Sequence, residues 1–305
     1  MHRKSFFDIA FPEDKVRLID HVASMADQVE RERFRQVFSA AALVLEQINR
    51  RYAGGAVFPE VFVTKGDAVG AEVAEGRLIL TEGLLRYLAE LRYPDLARVM
   101  DPAGIDALAL ESLVPVCSMM WTLAHEHFHV VRRHEAVHDK YGRSLASLRA
   151  TEVDADLCAV AEVYRFLQFN LGKGLPDLNI RLLTLYSVFW VIRSFPASVA
   201  EGSHPSIAER LHLILLKLAM VPEVDGELPD VDFARPETRD RSRALRDVLI
   251  GCEREFQRLG VADAIEPGGL MAEMVRMIDS KTVEALLDEW ANMKALVAAA
   301  SGTRA

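Results

Sequence analysis

The chain has 305 residues, 50% hydrophobic and 27% charged, a globular composition long enough for one large catalytic domain or two modest ones. Its net charge of -9 and pI near 5.5 argue against a nucleic-acid groove or a polybasic membrane patch. Cys117, Cys158 and Cys252 are too few and too scattered for a disulfide framework or a cysteine-built zinc cage, which suits a reducing compartment.

In chain order, the N-terminal MHRKSFFDIAFPEDK has early basic residues without the apolar core of a signal peptide. Leu18, Val22, Met25, Val29, Phe34, Val37, Phe38, Ala41, Leu45 and Ile48 then fall at helical spacing, predicting one or two helices over residues 18–51. Val, Ile, Phe and Thr dominate the next stretch, with glycine turns between them, predicting a small sheet about 55–81 with a hairpin at Glu75-Gly76. From Gly83 the sequence GLLRYLAELRY returns to a helical period, and PDLARVMDPAG reads as a loop or broken helix.

A long helix is expected over about 105–138 and, after a loop near Tyr141-Gly142, another over about 145–169. NLGKGLPDLN is punctuated as a turn, and an apolar helix follows over about 180–195. The longest apolar runs, Leu182 to Ile192 and Ser112 to Ala124, fall short of the roughly 18 to 20 residues that span a bilayer. A cytoplasmic protein without membrane insertion is expected. The acidic, proline-bearing VPEVDGELPDVDFARPE predicts a boundary between a catalytic domain, 1–222, and an acidic loop with a helical C-terminal subdomain, 223–305. Two apolar stripes follow, from Ala244 to Leu259 with Gly260 as a cap, and from Leu270 to Leu296. The fold class expected is mainly α with a small β-sheet.

The chemistry sits in HEHFH, residues 125–129. Positions four apart share a helix face, so His125 and His129 can hold one metal ion while Glu126 leans toward its open side. A catalytic zinc wants a third protein ligand, and Glu152, opening Glu152-Val-Asp-Ala-Asp156 on the next helix, is the leading candidate. Asp156, one turn later, can accept the second ring proton of a ligand histidine. His134 is the competing third ligand. It lies five residues past His129, well around a continuing helix, and VVRR contains no glycine to swing it back. His127, His134 and His138 are expected to be partly exposed and turned from the metal face.

Zinc would activate a water and polarise a scissile carbonyl, with Glu126 as general base. The charge developing on the carbonyl oxygen needs a donor, and SHPSIAERL offers His204 first and Arg210 second. In the same segment, Pro205 and a Ser206 to Glu209 capping box would open a helix.

Three segments together resemble the gluzincin metallopeptidases related to the heat-shock protease HtpX and the CAAX prenyl protease. AEVAEGRLILTEGLL is similar to that family's strand, turn, strand and helix start. HEHFH with TEVDADLCA is similar to its His-Glu-x-x-His and Glu-x-x-Ala-Asp pair, and SHPSIAERL to its His-Pro-x-x-x-x-Arg segment. The resemblance covers roughly residues 55–220. It implies a zincin-like fold, His125, His129 and Glu152 as zinc ligands, Glu126 as base, Asp156 as their support, and His204 and Arg210 lining or bracing the site. It also implies that the strand from Arg77 to Thr81 is an edge along which an extended peptide lies, while the composition of that strand suits an ordinary core strand equally well.

The run HEHFHVVRRH also resembles the His-Glu-x-x-His-x-x-x-x-His pattern of Lit-type phage-exclusion peptidases, which would give His134 a part. The function expected is a zinc endopeptidase acting on a protein or peptide. The alternatives are a catalytically silent zinc-binding regulatory protein and a defence or toxin protease that needs a protein activator.

Overall fold

A computed structural model describes residues 15–52, 60–74, 76–90, 107–194, 205–224 and 235–259, together with isolated helical positions between 270 and 299. Among these residues the chain is mainly helical with one small mixed sheet, as the composition of its segments predicts.

The N-terminal stripe folds as a short helix α1 (Leu18–Ser24) and a long helix α2 (Gln28–Tyr52), after a two-residue strand β1 (Val16–Arg17). The β-rich stretch supplies β2 (Val61–Thr64), β3 (Ala71–Ala74) and β4 (Arg77–Thr81), followed by α3 (Glu82–Glu90). The expected turn between β3 and β4 is present, with Gly76 at φ 74°, a left-handed value that glycine takes without steric cost. Gly83 is required for another reason: a Cβ there would lie 2.4 Å from the carbonyl oxygens of Asp67 and Ala68.

Strand order is β1-β2-β4-β3. β2 and β4 are parallel, pairing Phe62 with Ile79, while β3 runs antiparallel to β4 and pairs Glu72 with Ile79. This corrects the expectation that Arg77 to Thr81 forms a free edge. β4 is paired on both sides, and its run of apolar residues, Leu78, Ile79 and Leu80, all buried, is what an interior strand carries. Among the described residues the edge strands are β1 and β3.

The core helix is α4 (Ala107–Val131), which packs against α2, α6 and α7. Its apolar residues run all round the helix, as they must when neighbours cover it on several sides. α5 (His134–Tyr141) and α6 (Leu145–Leu171) follow, then α7 (Asp177–Ser194), α8 (Ile207–Met220) and α9 (Pro236–Arg258). Ser144 caps α6 by accepting from the Ser147 amide at 3.1 Å. At α8 the expected capping box is formed in both directions, with the Glu209 amide donating to Ser206 Oγ and the Ser206 amide to Glu209 Oε2.

The expected helix over 105–138 is broken. Arg133 adopts φ 53° and ψ 46°, a left-handed kink between α4 and α5 that needs no glycine. α9 buries Leu245, Val248, Leu249, Cys252 and Phe256 in the same apolar core as α4, α6 and α7. Arg193 of α7 donates to Glu253 of α9 at 2.9 and 3.1 Å, both side chains buried. No helix of the described residues is long and apolar enough to cross a membrane.

Candidate metal centre

α4 and α6 cross so that His125 and His129 of the first face Glu152 of the second. His125 Nε2 lies 3.3 Å from His129 Nε2 and 3.3 Å from Glu152 Oε2, and His129 Nε2 lies 3.6 Å from Glu152 Oε1. Ligand atoms held tetrahedrally at about 2.0–2.1 Å from one ion are about 3.3–3.4 Å apart, and these separations, which reach one histidine from each of the two Glu152 oxygens, are close to that size. Among the described residues these three form the group of His, Cys, Asp and Glu that converges closely enough to hold a metal ion.

The electrostatics also suit a cation. Burial works against a proton on His125. Asp156, whose Oδ1 is 2.8 Å from Nδ1, and Glu152 beside Nε2 outweigh it and raise the ring to about 10. Asp156 is itself braced by Arg210 of α8, whose guanidinium donates to both carboxylate oxygens at 2.7 and 2.8 Å. Burial opposes that charge, and Arg210 with His125 hold the carboxyl below its usual range. Arg210 is therefore committed to Asp156, with its guanidinium 5.8 Å from the centre of the Trp121 ring, and supports the site from behind. His204, the first candidate for an oxyanion donor, lies outside the described residues.

Glu126 stands beside the histidines, where burial pushes its carboxyl up to about 7. Glu152 and Glu72 act in the same direction, while His125 and Arg210 oppose them. Glu72 is a contribution the sequence did not announce. It stands on the edge strand β3, which packs against α4, and its own carboxyl is pushed up to about 7 by burial.

His127, His134 and His138 are buried, not partly exposed as expected: His127 and His134 are 1% exposed and His138 is 8% exposed. His127 points away from the donor triangle toward α2, its Nε2 2.9 Å from Asn49 Oδ1. His138 lies between Ser147 Oγ at 3.1 Å and Thr151 Oγ1 at 3.3 Å. His134 is brought back by the kink at Arg133 and lies directly behind His129, the two Nδ1 atoms 2.9 Å apart. It is not one of the three converging donors, but it touches one of them.

Asp154 escaped the sequence reading altogether. It is fully buried, and it accepts from Arg132 at 2.9 and 3.2 Å, with His134 Nε2 3.1 Å from its Oδ2. The signal available was the crowding of acids in TEVDADLC: a buried helix can carry three carboxylates only if each has a partner.

The family model described as Peptidase U49 matches residues 106–225, a stretch that holds α4 to α8 and every donor of the triangle. Over that stretch the chain is similar to a peptidase family, which supports a peptidase acting on protein or peptide. No curated protein matches the chain, and no solved structure matches it.

Proposed function

We propose that the chain is a zinc-dependent endopeptidase of zincin-like architecture, with His125, His129 and Glu152 holding the metal and Glu126 as general base. The observation that carries this reading is the convergence of the three side chains, His125 Nε2 lying 3.3 Å from both His129 Nε2 and Glu152 Oε2, and His129 Nε2 3.6 Å from Glu152 Oε1. A peptidase-family match across the same residues agrees with it. When bound, zinc would lower the pKa of a water and polarise the scissile carbonyl.

The chain's own residues supply the rest. Glu126, with a carboxyl raised to about 7, is poised to take a proton from water near neutrality and return it to the leaving amine. Asp156 fixes the His125 ring through Nδ1 and so presents Nε2 to the metal, while Arg210 keeps that carboxylate ionised and in place. His204 is the proposed donor to the charge that grows on the carbonyl oxygen, and β3, an edge strand among the described residues that packs beside α4, is the proposed rail for an extended substrate.

The test is metal content together with peptide mapping of protein substrates. Wild type should hold about one zinc per chain. Glu126→Gln should keep the metal while cleavage falls by at least about a hundredfold. Full cleavage by the Gln variant, or a wild type that takes up no zinc, would overturn the proposal.

A further inference from the structure

Behind His129 a hydrogen-bonded path leads away from the donor triangle. His129 Nδ1 is 2.9 Å from His134 Nδ1, and His134 Nε2 is 3.1 Å from Asp154 Oδ2. The other oxygen, Asp154 Oδ1, accepts from the indole Nε1 of Trp290 at 3.3 Å. His134 and Asp154 are fully buried, at 1% and 0% exposure.

If His129 offers Nε2 to the metal, the protons along this path are fixed. A neutral imidazole has one N–H, so His129 must carry it on Nδ1 and donate to His134 Nδ1. His134 must then carry its proton on Nε2 and donate to Asp154. The carboxylate at the end also accepts from Arg132, so it stays charged and pulls the whole path in one direction.

Trp290 belongs to a part of the chain beyond the peptidase-like stretch 106–225. Its ring lies under Lys217 of α8, 6.0 Å from the centroid, and under Lys294, 5.7 Å away. Two turns further on, Val297 is buried against Val137 of α5 and Ala150 of α6. The C-terminal segment is thus seated on the two helices that carry His134 and Asp154.

We propose that His134, Asp154 and Trp290 form a positioning relay for His129, through which the C-terminal segment fixes the orientation and donor strength of one metal-facing imidazole. The relay rests on the reading of His129 as a metal ligand. Carboxylate or carbonyl groups at the far nitrogen of a ligand histidine set its tautomer and basicity; here a second histidine is interposed and an indole holds the carboxylate.

The experiment uses the full chain with Co²⁺ as a visible probe and Zn²⁺ in competition with a chromophoric chelator. Wild type is expected to bind about one ion of either per chain. Trp290→Phe should shift the cobalt absorption bands and weaken zinc by a few fold, and His134→Gln should weaken it by about 10–100-fold. Melting temperatures of the metal-free proteins show which variants are folded, and Trp290→Phe carries the test if the His134 variant is not. Cobalt spectra and zinc affinities equal to wild type in the folded variants would overturn the relay while leaving the metal site standing. A wild type that binds neither ion would instead overturn the ligand reading of His129, and the relay with it.

Discussion

The pair of charges behind His125 shows how much the site depends on single side chains. Asp156 is 2% exposed and is held by the Arg210 fork on one side and the His125 ring on the other. Removing one partner of a buried pair leaves the other uncompensated, at a cost of about 3–5 kcal/mol. Arg210→Gln leaves Asp156 to the His125 ring alone and should lower the stability of the metal-free protein by up to about 3 kcal/mol in urea unfolding, and zinc should bind more weakly in chelator competition. Glu72 makes a pH prediction. Burial raises its carboxyl to about 7, so the folded state holds this proton more tightly than the unfolded one. The associated stability is present below the unfolded value and is lost as pH rises through about 7. With a discount for partial solvent contact the loss is about 1–2 kcal/mol. Urea midpoints should show Glu72→Gln more stable than wild type at about pH 8 and no more stable at about pH 4. At this scale the convergence of His125, His129 and Glu152 was legible because helical period and ligand count constrain them together. Asp154 and Glu72 were not, since their roles come from what packs against them.

Single elements were legible in proportion to the length of their apolar period. The helix expected over about 145–169 is α6, Leu145–Leu171, and the apolar helix expected over about 180–195 is α7, Asp177–Ser194. The order of strands was not, because a parallel β2–β4 pairing places the second arm of a hairpin in the middle of the sheet, and local turn chemistry cannot reveal it. The break between α4 and α5 was missed for a simpler reason. Glycine is the usual signature of a lone left-handed residue, and the protein uses Arg133 at φ 53° instead. A side chain in that region costs about 1 kcal/mol that glycine does not incur. Arg133→Gly is therefore expected to raise the melting temperature, with a gain of up to about 1 kcal/mol, and Arg133→Val, β-branched, to lower it. Neither should move the His125 and Glu152 donors.

Across the whole molecule, the described residues of α9 share one apolar core with α4, α6 and α7, although the acidic segment before it reads as a boundary. Most of that segment, 225–234, lies outside the described residues. The buried Arg193–Glu253 pair, with its guanidinium 4.2 Å from the centre of the Phe256 ring, ties α9 to α7 and gives this scale its own test. Glu253→Ala should cost about 3–5 kcal/mol, whereas Arg193→Met with Glu253→Leu should fall close to wild type, as buried pairs replaced by apolar residues often do. Calorimetry should show one transition in wild type if α9 and the metal-bearing helices unfold together.

The edge strand β3 has a consequence for molecules in company. Four residues long and carrying an acid at its second position, it offers another copy a short template whose docking would bring two Glu72 side chains into the same neighbourhood. Short, charged edges resist such self-pairing. In the proposed peptidase a peptide laid along β3 would meet that same acid, so the feature that discourages a second copy would become a selector among extended substrates, stronger as pH rises through about 7.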